Sequence, residues 1–240
     1  MGPIDSDVLT TSFEYHGDVV SYGPSHENRV EPKAGLPLLV LGVHGRLGRL
    51  LVERALRSEH TVTTLSKRPL DLRHPRLRVV KGDVFDQDAL QTAMRGQQVV
   101  LGALGDEGDV TDAAKLAELC GNVAHAMRRY SVHRVSWFVP PGKRAQAEQL
   151  REALLNPPPR PGRERPPRVQ APLEWMLVQA HALTELPDGK LYEVTSPDAA
   201  LDRPVARTDV AEFMLAQLGE PRYVNRAVLL AEVEPPPDGP

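Results

Sequence analysis

Seven residues, GVHGRLG from Gly42 to Gly48, constrain the fold more than any other stretch of the chain. They follow the apolar run LPLLVL and precede a segment with helical periodicity. Glycines at three-residue spacing between a strand and a helix allow a tight turn and expose the helix N-terminus to phosphate. The spacing therefore predicts a turn that binds the pyrophosphate of a dinucleotide. The alternative is a glycine turn that serves packing alone.

Short apolar runs alternate with helical patterns along the rest of the chain. The predicted strands are LLVLG, TVTTL, RLRVVKGD, QVVLGALG, RVSWFV, EWMLVQA and RAVLLAE. The predicted helices are RLGRLLVERALRS, FDQDALQTAMRG and TDAAKLAELCGNVAHAMRRY. This alternation is typical of a doubly wound α/β domain, whose parallel sheet binds ligands where the strand order reverses. We therefore predict one Rossmann-type domain.

The pattern divides the chain into three segments. Residues 1–35 are polar and aperiodic, which predicts an arm outside the core, either mobile or packed on the domain or on a second subunit. Residues 36–231 form the predicted domain, with substrate loops between 139 and 205, and residues 232–240 form a disordered tail. The proline-rich stretch 156–167 is interpreted as a long loop near the substrate. The arm suggests a homodimer.

Composition excludes several classes of partner. The formal net charge of −3 gives no general attraction for nucleic acid. No run approaches the roughly 18–20 apolar residues that span a bilayer, so no membrane contact is expected. The single cysteine, Cys120, excludes an internal disulfide and fits a reducing compartment, which predicts a cytoplasmic protein. No cluster has metal-ligand spacing.

The end of the second strand predicts which dinucleotide is bound. NAD specificity normally rests on an acidic residue about twenty positions after the glycine turn. This chain has TLSKRP there, so Lys67 and Arg68 stand where an acid would repel a 2′-phosphate. Ser66 offers a further donor, and Arg46 in the glycine turn reinforces the cations. The sequence favours NADP(H) over NAD(H), with a solvated basic loop as the alternative.

Two further strand ends complete the predicted cofactor site. In KGDVFD, Asp83 is placed to meet the adenine amino group while Val84 packs on the ring. In GALG, the small residues from Gly102 to Gly105 let the cofactor backbone pass.

With these motifs, residues 36–231 resemble the atypical short-chain dehydrogenases of the NmrA-like and biliverdin/flavin reductase type. The resemblance rests on LVLGVHGRLGRLLVERAL, LRVVKGDVFDQDAL, VVLGALG, LEWMLVQAHALT, VARTDVAEFMLAQL and YVNRAVLL. It implies cofactor contacts at Gly42, Gly45, Arg46, Leu47, Gly48, Lys67, Arg68, Asp83, Val84, Ala103, Leu104 and Gly105. His44 stands where the family commonly has Thr, so its imidazole either points away from the pyrophosphate or helps to bind it.

The reaction side departs from that family. No Y-x-x-x-K relay occurs, and the nearest match, Tyr130 with Arg134, is predicted to lie away from the site. Val139 and Pro140 stand where the fifth strand usually ends in serine. Gln179 and Ala180 replace the Arg-Pro that often follows the sixth strand.

The cofactor-binding residues match the pattern of that family, whereas the residues on the reaction side do not. Two functions are compatible with this combination. The first is an NADPH-dependent reductase of a flavin, quinone or other conjugated small molecule, which needs little acid catalysis by the protein. The second is a non-redox or regulatory relative, such as a cofactor sensor or a cyclase of secondary metabolism. The predicted substrate contacts are Val139, Pro140, Lys143, Gln179 and His181. His181 is the candidate proton exchanger, with a structural or solvent-facing histidine as the alternative.

Overall fold

A computed structural model describes residues 35–104, 113–142, 144–157, 172–185, 192–199, 201–219 and 221–233. The strands are β1 (Pro37–Leu41), β2 (Thr61–Ser66), β3 (Leu77–Lys81), β4 (Val99–Gly102), β5 (Arg134–Val139), β6 (Glu174–Ala180), β7 (Leu183–Thr184), β8 (Tyr192–Thr195), β9 (Val205–Ala206) and β10 (Arg226–Glu232). The helices are α1 (Arg46–Arg57), α2 (Gln87–Met94), α3 (Ala113–Tyr130), α4 (Arg144–Leu155) and α5 (Arg207–Ala216).

Eight strands form one sheet in the order β3-β2-β1-β4-β5-β6-β10-β8. The first seven pair in parallel, and β8 alone runs antiparallel, against β10. The predicted Rossmann-type domain is confirmed. The sheet is mostly parallel, and the one antiparallel strand, the four-residue β8, lies at its edge beside β10.

Helices cover both faces of the sheet, and β1 shows why. Its side chains alternate between the faces, as strand geometry requires. Leu38 and Val40 pack in the core under α1 and α5, whereas Leu39 and Leu41 pack in the core under α2, α3 and α4. All four side chains are fully buried, so β1 lies at the centre of the domain. This burial on both faces explains why LPLLVL is apolar throughout rather than alternating.

Both ends of α2 have residues suited to capping a helix. The Asp86 carboxylate accepts hydrogen bonds from the amides of Asp88 and Ala89 at 3.1 and 3.0 Å. Gly96, just after the helix, has a φ of 78°, a conformation that favours glycine. On the buried face of α3, burial raises the pKa of Cys120, in keeping with a packed thiol.

The region 139–205 contains more regular structure than the predicted substrate loops. Helix α4 and strands β6 to β9 lie within it. The strand β7 pairs in parallel with β9 in a small second sheet beside the main one. Most of the arm, of the tail and of the proline-rich stretch lies outside the described residues, and Glu232, the first residue of the predicted tail, ends β10. Within the described part of the chain, no helix is both long and apolar enough to cross a membrane.

A buried histidine ties the start of β1 to the end of α1. His60 is fully buried, and its Nδ1 accepts a hydrogen bond from the Leu36 amide at 3.2 Å. Burial lowers the pKa of His60 below its ordinary value of 6.5. As the pH falls through about 6.5, His60 therefore becomes protonated in the unfolded chain while it stays neutral in the native state. His60 stabilises the fold above that pH, and its contribution is lost as the pH falls.

Replacing His60 by asparagine is expected to reduce the acid sensitivity of the fold. The asparagine oxygen retains an acceptor for the Leu36 amide but does not titrate. Urea unfolding at about pH 7.5 and about pH 5.5 would measure the change in unfolding free energy for both proteins. The wild type should lose more stability than the His60→Asn variant over this interval. An equal loss in the two proteins would contradict the assignment.

Candidate dinucleotide-binding site

The glycine turn connects β1 to α1 at the carboxyl edge of the sheet. Leu41 pairs with Gly102, which brings Gly42 alongside Ala103 at the end of β4. Gly42 has a φ of 94°, and a Cβ on it would lie 2.4 Å from the Ala103 carbonyl oxygen. Both the backbone conformation and the close approach of the two strands therefore require glycine at this position.

Helix α1 packs directly onto the turn because Gly48 has no side chain. A Cβ on Gly48 would lie 2.0 Å from the Gly42 carbonyl oxygen. The same oxygen accepts a hydrogen bond from the Gly45 amide at 2.9 Å. The hydrogen bond between Gly45 and Gly42 therefore closes the glycine turn. The start of helix α1 lies next to the end of β1.

The N-terminus of α1 is suited to an anion. Gly45 is the N-cap and has no side chain with which to cap the helix, and the first turn contains no acidic residue. The helix dipole and the backbone amides of its first turn favour negative charge at this point. These residues fit the pyrophosphate of a dinucleotide, which the backbone of Gly45, Arg46 and Leu47 would hold.

The two predicted cations follow β2 at the same edge. Ser66 pairs with Lys81 at the end of β3, so the turn after β2 lies against the turn after β3. The Lys67 ammonium forms an ion pair with Oδ2 of Asp83. Both Lys67 and Arg68 are exposed, and among the described residues Arg68 has no carboxylate partner. Of the two cations, Lys67 is therefore already paired with a carboxylate when no ligand is bound.

Asp83 organises the turn after β3. Its Oδ1 accepts hydrogen bonds from the amides of Phe85 and Asp86 at 3.0 and 2.9 Å. Partial burial raises the pKa of Asp83, but the Lys67 ammonium and the two amides outweigh that effect and hold the pKa below its ordinary value. Asp83 is therefore a carboxylate at neutral pH. The adjacent Val84 side chain packs in the core under α2 and α3.

Replacing Asp83 by asparagine is expected to increase the preference for NADPH. The asparagine oxygen retains the acceptor for the two amides, while the carboxylate that competes with a 2′-phosphate for Lys67 is removed. We expect the Kd for NADPH to fall by about 3–10-fold and the Kd for NADH to change less. Fluorescence titrations of both proteins measure the effect. Equal changes for the two nucleotides would contradict the competition between carboxylate and phosphate.

His44, in the glycine turn, reaches across to the end of β2. Its Nε2 lies 2.7 Å from the Ser66 hydroxyl, which in turn donates to the Arg68 carbonyl oxygen. Of the two orientations considered for this imidazole, the structure shows it directed to Ser66. Because the Ser66 proton is engaged by Arg68, this hydroxyl does not offer the predicted extra donor in the structure described.

Arg46 points to the other side of the turn. Its Nη1 lies 2.6 Å from Oε1 of Glu185, and Arg207 binds the same carboxylate oxygen. The pairing of Thr184 with Ala206 accounts for the contact, since Glu185 and Arg207 are the next residues along. Arg46 therefore does not join Lys67 and Arg68 in the structure. Glu185 is a site residue that sequence reasoning missed, because only the β7–β9 pairing brings it to the turn.

The predicted substrate side lies at the ends of β5 and β6, which are neighbours in the sheet. Val139 pairs with Gln179, and the side chains of both residues are buried. Pro140 is partly exposed and His181 is exposed. The side chain of Val139 packs in the core, so it presents little surface to a substrate. Ala103 is buried and Leu104 half-buried; Gly105 and Lys143 lie outside the described residues.

The family model described as NAD(P)H-binding matches residues 42–221, three quarters of the chain and all of the site described here. The chain belongs to the NAD(P)H-binding family. Membership confirms the assignment of a nicotinamide dinucleotide as cofactor and is consistent with the resemblance to the atypical short-chain dehydrogenases. A search of curated proteins finds no match.

Solved structures share the fold of this NAD(P)H-binding protein. A Rossmann-fold NAD(P)-binding family protein from Shigella flexneri is 21% identical, with a TM-score of 0.65 over 85% of this chain and 98% of the other. A short-chain dehydrogenase/reductase from Veillonella parvula in complex with NADP is 16% identical, with a TM-score of 0.63 and coverage of 85% and 98%. A candidate NADH-flavin reductase from Streptococcus pneumoniae is 17% identical, with a TM-score of 0.54 and coverage of 83% and 100%.

Proposed function

We propose that this protein is an NADPH-dependent reductase of a flavin, a quinone or another extended conjugated molecule. The observation that carries the proposal is the pair of cations, Lys67 and Arg68, directly after the second strand of an NAD(P)H-binding domain. The structural likeness to a candidate NADH-flavin reductase is compatible with this substrate class, although at 17% identity it concerns the fold alone.

The cations favour NADPH because they face the position of the adenosine ribose. In a Rossmann domain the end of the second strand lies beside that ribose, where an acid would select NAD. Two cations instead attract the 2′-phosphate. A hydrogen bond to a charged group contributes roughly 1.5–3 kcal/mol, which corresponds to a preference of about ten- to a hundredfold.

The substrate class follows from the reaction side. No Y-x-x-x-K relay occurs in the sequence, and the neighbouring ends of β5 and β6 carry Val139, Pro140, Gln179 and Ala180. Such a surface lacks an acid that would protonate a simple ketone. A flavin or quinone needs less help, because its conjugated ring system delocalises the added negative charge.

In this proposal the chain mainly binds and aligns the cofactor and the acceptor and shields them from water. The α1 N-terminus would hold the pyrophosphate of the cofactor and the Lys67–Arg68 turn its 2′-phosphate, and the bound cofactor would supply the hydride. Pro140, partly exposed just after β5, would shield the acceptor from water. His181, exposed just after β6, is the proposed site of proton exchange with the reduced product.

A binding titration followed by an acceptor screen tests the proposal. Fluorescence titration should give tighter binding of NADPH than of NADH. Anaerobic mixing of the bound protein with flavins and quinones should then oxidise the nicotinamide, and His181→Gln should slow turnover while leaving the Kd for NADPH unchanged. Failure of NADPH to bind contradicts the proposal outright.

A second function is favoured by the same departures at β5 and β6. Since Gln179 and Ala180 replace the common Arg-Pro, the domain is also compatible with a cofactor sensor or a non-redox cyclase that retains the nucleotide site. Tight NADPH binding with no oxidation by any acceptor in the screen would favour this function over the reductase.

A further inference from the structure

Two turns of the cofactor site are joined by a continuous chain of hydrogen bonds. His44 belongs to the glycine turn after β1, and Ser66 and Arg68 belong to the turn after β2. The His44 Nε2 lies 2.7 Å from the Ser66 Oγ, and the Ser66 Oγ donates to the Arg68 carbonyl oxygen. Ser66 is buried and His44 half-buried, so the chain runs beneath the exposed cations.

The direction of each hydrogen bond follows from the number of protons. A carbonyl oxygen only accepts, so the single hydroxyl proton of Ser66 is donated to Arg68. The Ser66 oxygen must then accept the proton of His44 Nε2, which fixes the imidazole as the tautomer that carries a proton on Nε2. His44 is therefore the donor that begins the chain, and the Arg68 carbonyl is the acceptor that ends it.

We propose that His44 is a positioning residue for recognition of the 2′-phosphate. By holding Ser66, it fixes the backbone at Arg68 and so directs the guanidinium at the adenosine ribose. This inference rests on the proposed preference for NADPH, and it assigns part of that preference to a residue in the pyrophosphate turn rather than to the cations alone.

Arg68 depends on this support more than Lys67 does. The Lys67 ammonium is already held by Asp83, whereas Arg68 has no carboxylate partner among the described residues. The orientation of its side chain is therefore set by the backbone from which it extends.

The charged side chains of the two turns form ion pairs with other partners and not with each other. Lys67 of the β2 turn is paired with Asp83, and Arg46 of the glycine turn is paired with Glu185. With each of these groups engaged by an opposite charge, the contact between His44 and Ser66 links the two turns without a further ion pair.

Three variants test the inference by affinity measurements. His44→Leu removes the donor, His44→Gln restores an N–H donor at about the same distance, and Ser66→Ala removes the middle of the chain. The Kd values for NADPH and NADH are measured by fluorescence titration, and thermal unfolding confirms that each variant is folded. A fourth protein carries both His44→Leu and Ser66→Ala, which completes a double-mutant cycle.

The expected result is selective and non-additive. His44→Leu and Ser66→Ala should each raise the Kd for NADPH by about 3–10-fold and the Kd for NADH by less than about twofold. His44→Gln should retain the wild-type Kd for NADPH, and the double variant should bind no more weakly than either single variant. Equal weakening for NADPH and NADH, or additive losses in the double variant, would overturn the inference.

Two controls separate this inference from the proposed function. If the wild type binds NADPH and NADH equally, the proposed preference for NADPH fails; if it discriminates and His44→Leu discriminates equally well, only the role of His44 fails. The pH profile of the NADPH Kd should be the same for the wild type and His44→Gln, because the titration of the 2′-phosphate itself is common to both. A profile that flattens in His44→Gln would show that His44 acts through its charge, and would contradict the positioning role.

Discussion

Replacing Gly48 by alanine is expected to lower the free energy of unfolding by about 2 kcal/mol or more and to abolish dinucleotide binding. The added Cβ would lie 2.0 Å from the Gly42 carbonyl oxygen and 2.5 Å from the Gly42 carbonyl carbon. Both atoms are backbone, so α1 must move away from the turn. That movement would carry the amides of its first turn away from the pyrophosphate. Urea unfolding and a fluorescence titration with NADPH measure the two effects.

Gly96→Ala is the matched control for this substitution. Gly96 has a φ of 78°, but no atom lies within 4 Å of the position of its Cβ. Its replacement adds backbone strain of about 1 kcal/mol without a collision, and it should leave NADPH binding unchanged. Wild-type stability and affinity in Gly48→Ala would show that α1 does not approach the turn as closely as described.

Replacing Lys67 and Arg68 together by alanine is expected to raise the Kd for NADPH by about ten- to a hundredfold. The Kd for NADH should change by less than about threefold, because NADH lacks the 2′-phosphate. Titration of each nucleotide into the double variant and the wild type measures the change. The loss for NADPH should also shrink at high salt, since added ions screen exposed charges.

A control with the same change in net charge isolates the local effect. Arg73 and Arg78 are exposed and lie before and at the start of β3, away from the carboxyl edge of the sheet. Replacing both by alanine should leave the ratio of the two Kd values unchanged. If that pair lowers the NADPH preference as much as Lys67 and Arg68 do, the preference arises from overall charge rather than from the β2 turn.

Much of the fold is predictable because local patterns determine it. The apolar run at β1 and the helical periodicity of α1 and α2 act within a few residues, and the structure confirms these elements. The strand β8 was missed because four residues, Tyr192–Thr195, carry too little pattern to reveal an antiparallel edge. Helix α4 was also missed, although its sequence RAQAEQLREALL consists of strong helix formers.

The backbone conformation of the site is predictable from the sequence, whereas the ion-pair partners of its side chains are less so. The conformation of Gly42 and the packing of Gly48 follow from their spacing alone. The contacts of Lys67 with Asp83 and of Arg46 with Glu185 depend on which strands are neighbours and on which of several charges lies nearest. Sequence reasoning assigned Arg46 to the 2′-phosphate because Glu185 is distant along the chain.

A crystal structure of the protein with NADP⁺ tests the central claim most directly. The account predicts a pyrophosphate against the backbone amides of Gly45, Arg46 and Leu47, and a 2′-phosphate within hydrogen-bond distance of Lys67 or Arg68. A cofactor bound elsewhere would contradict it, as would a 2′-phosphate directed into solvent away from both cations.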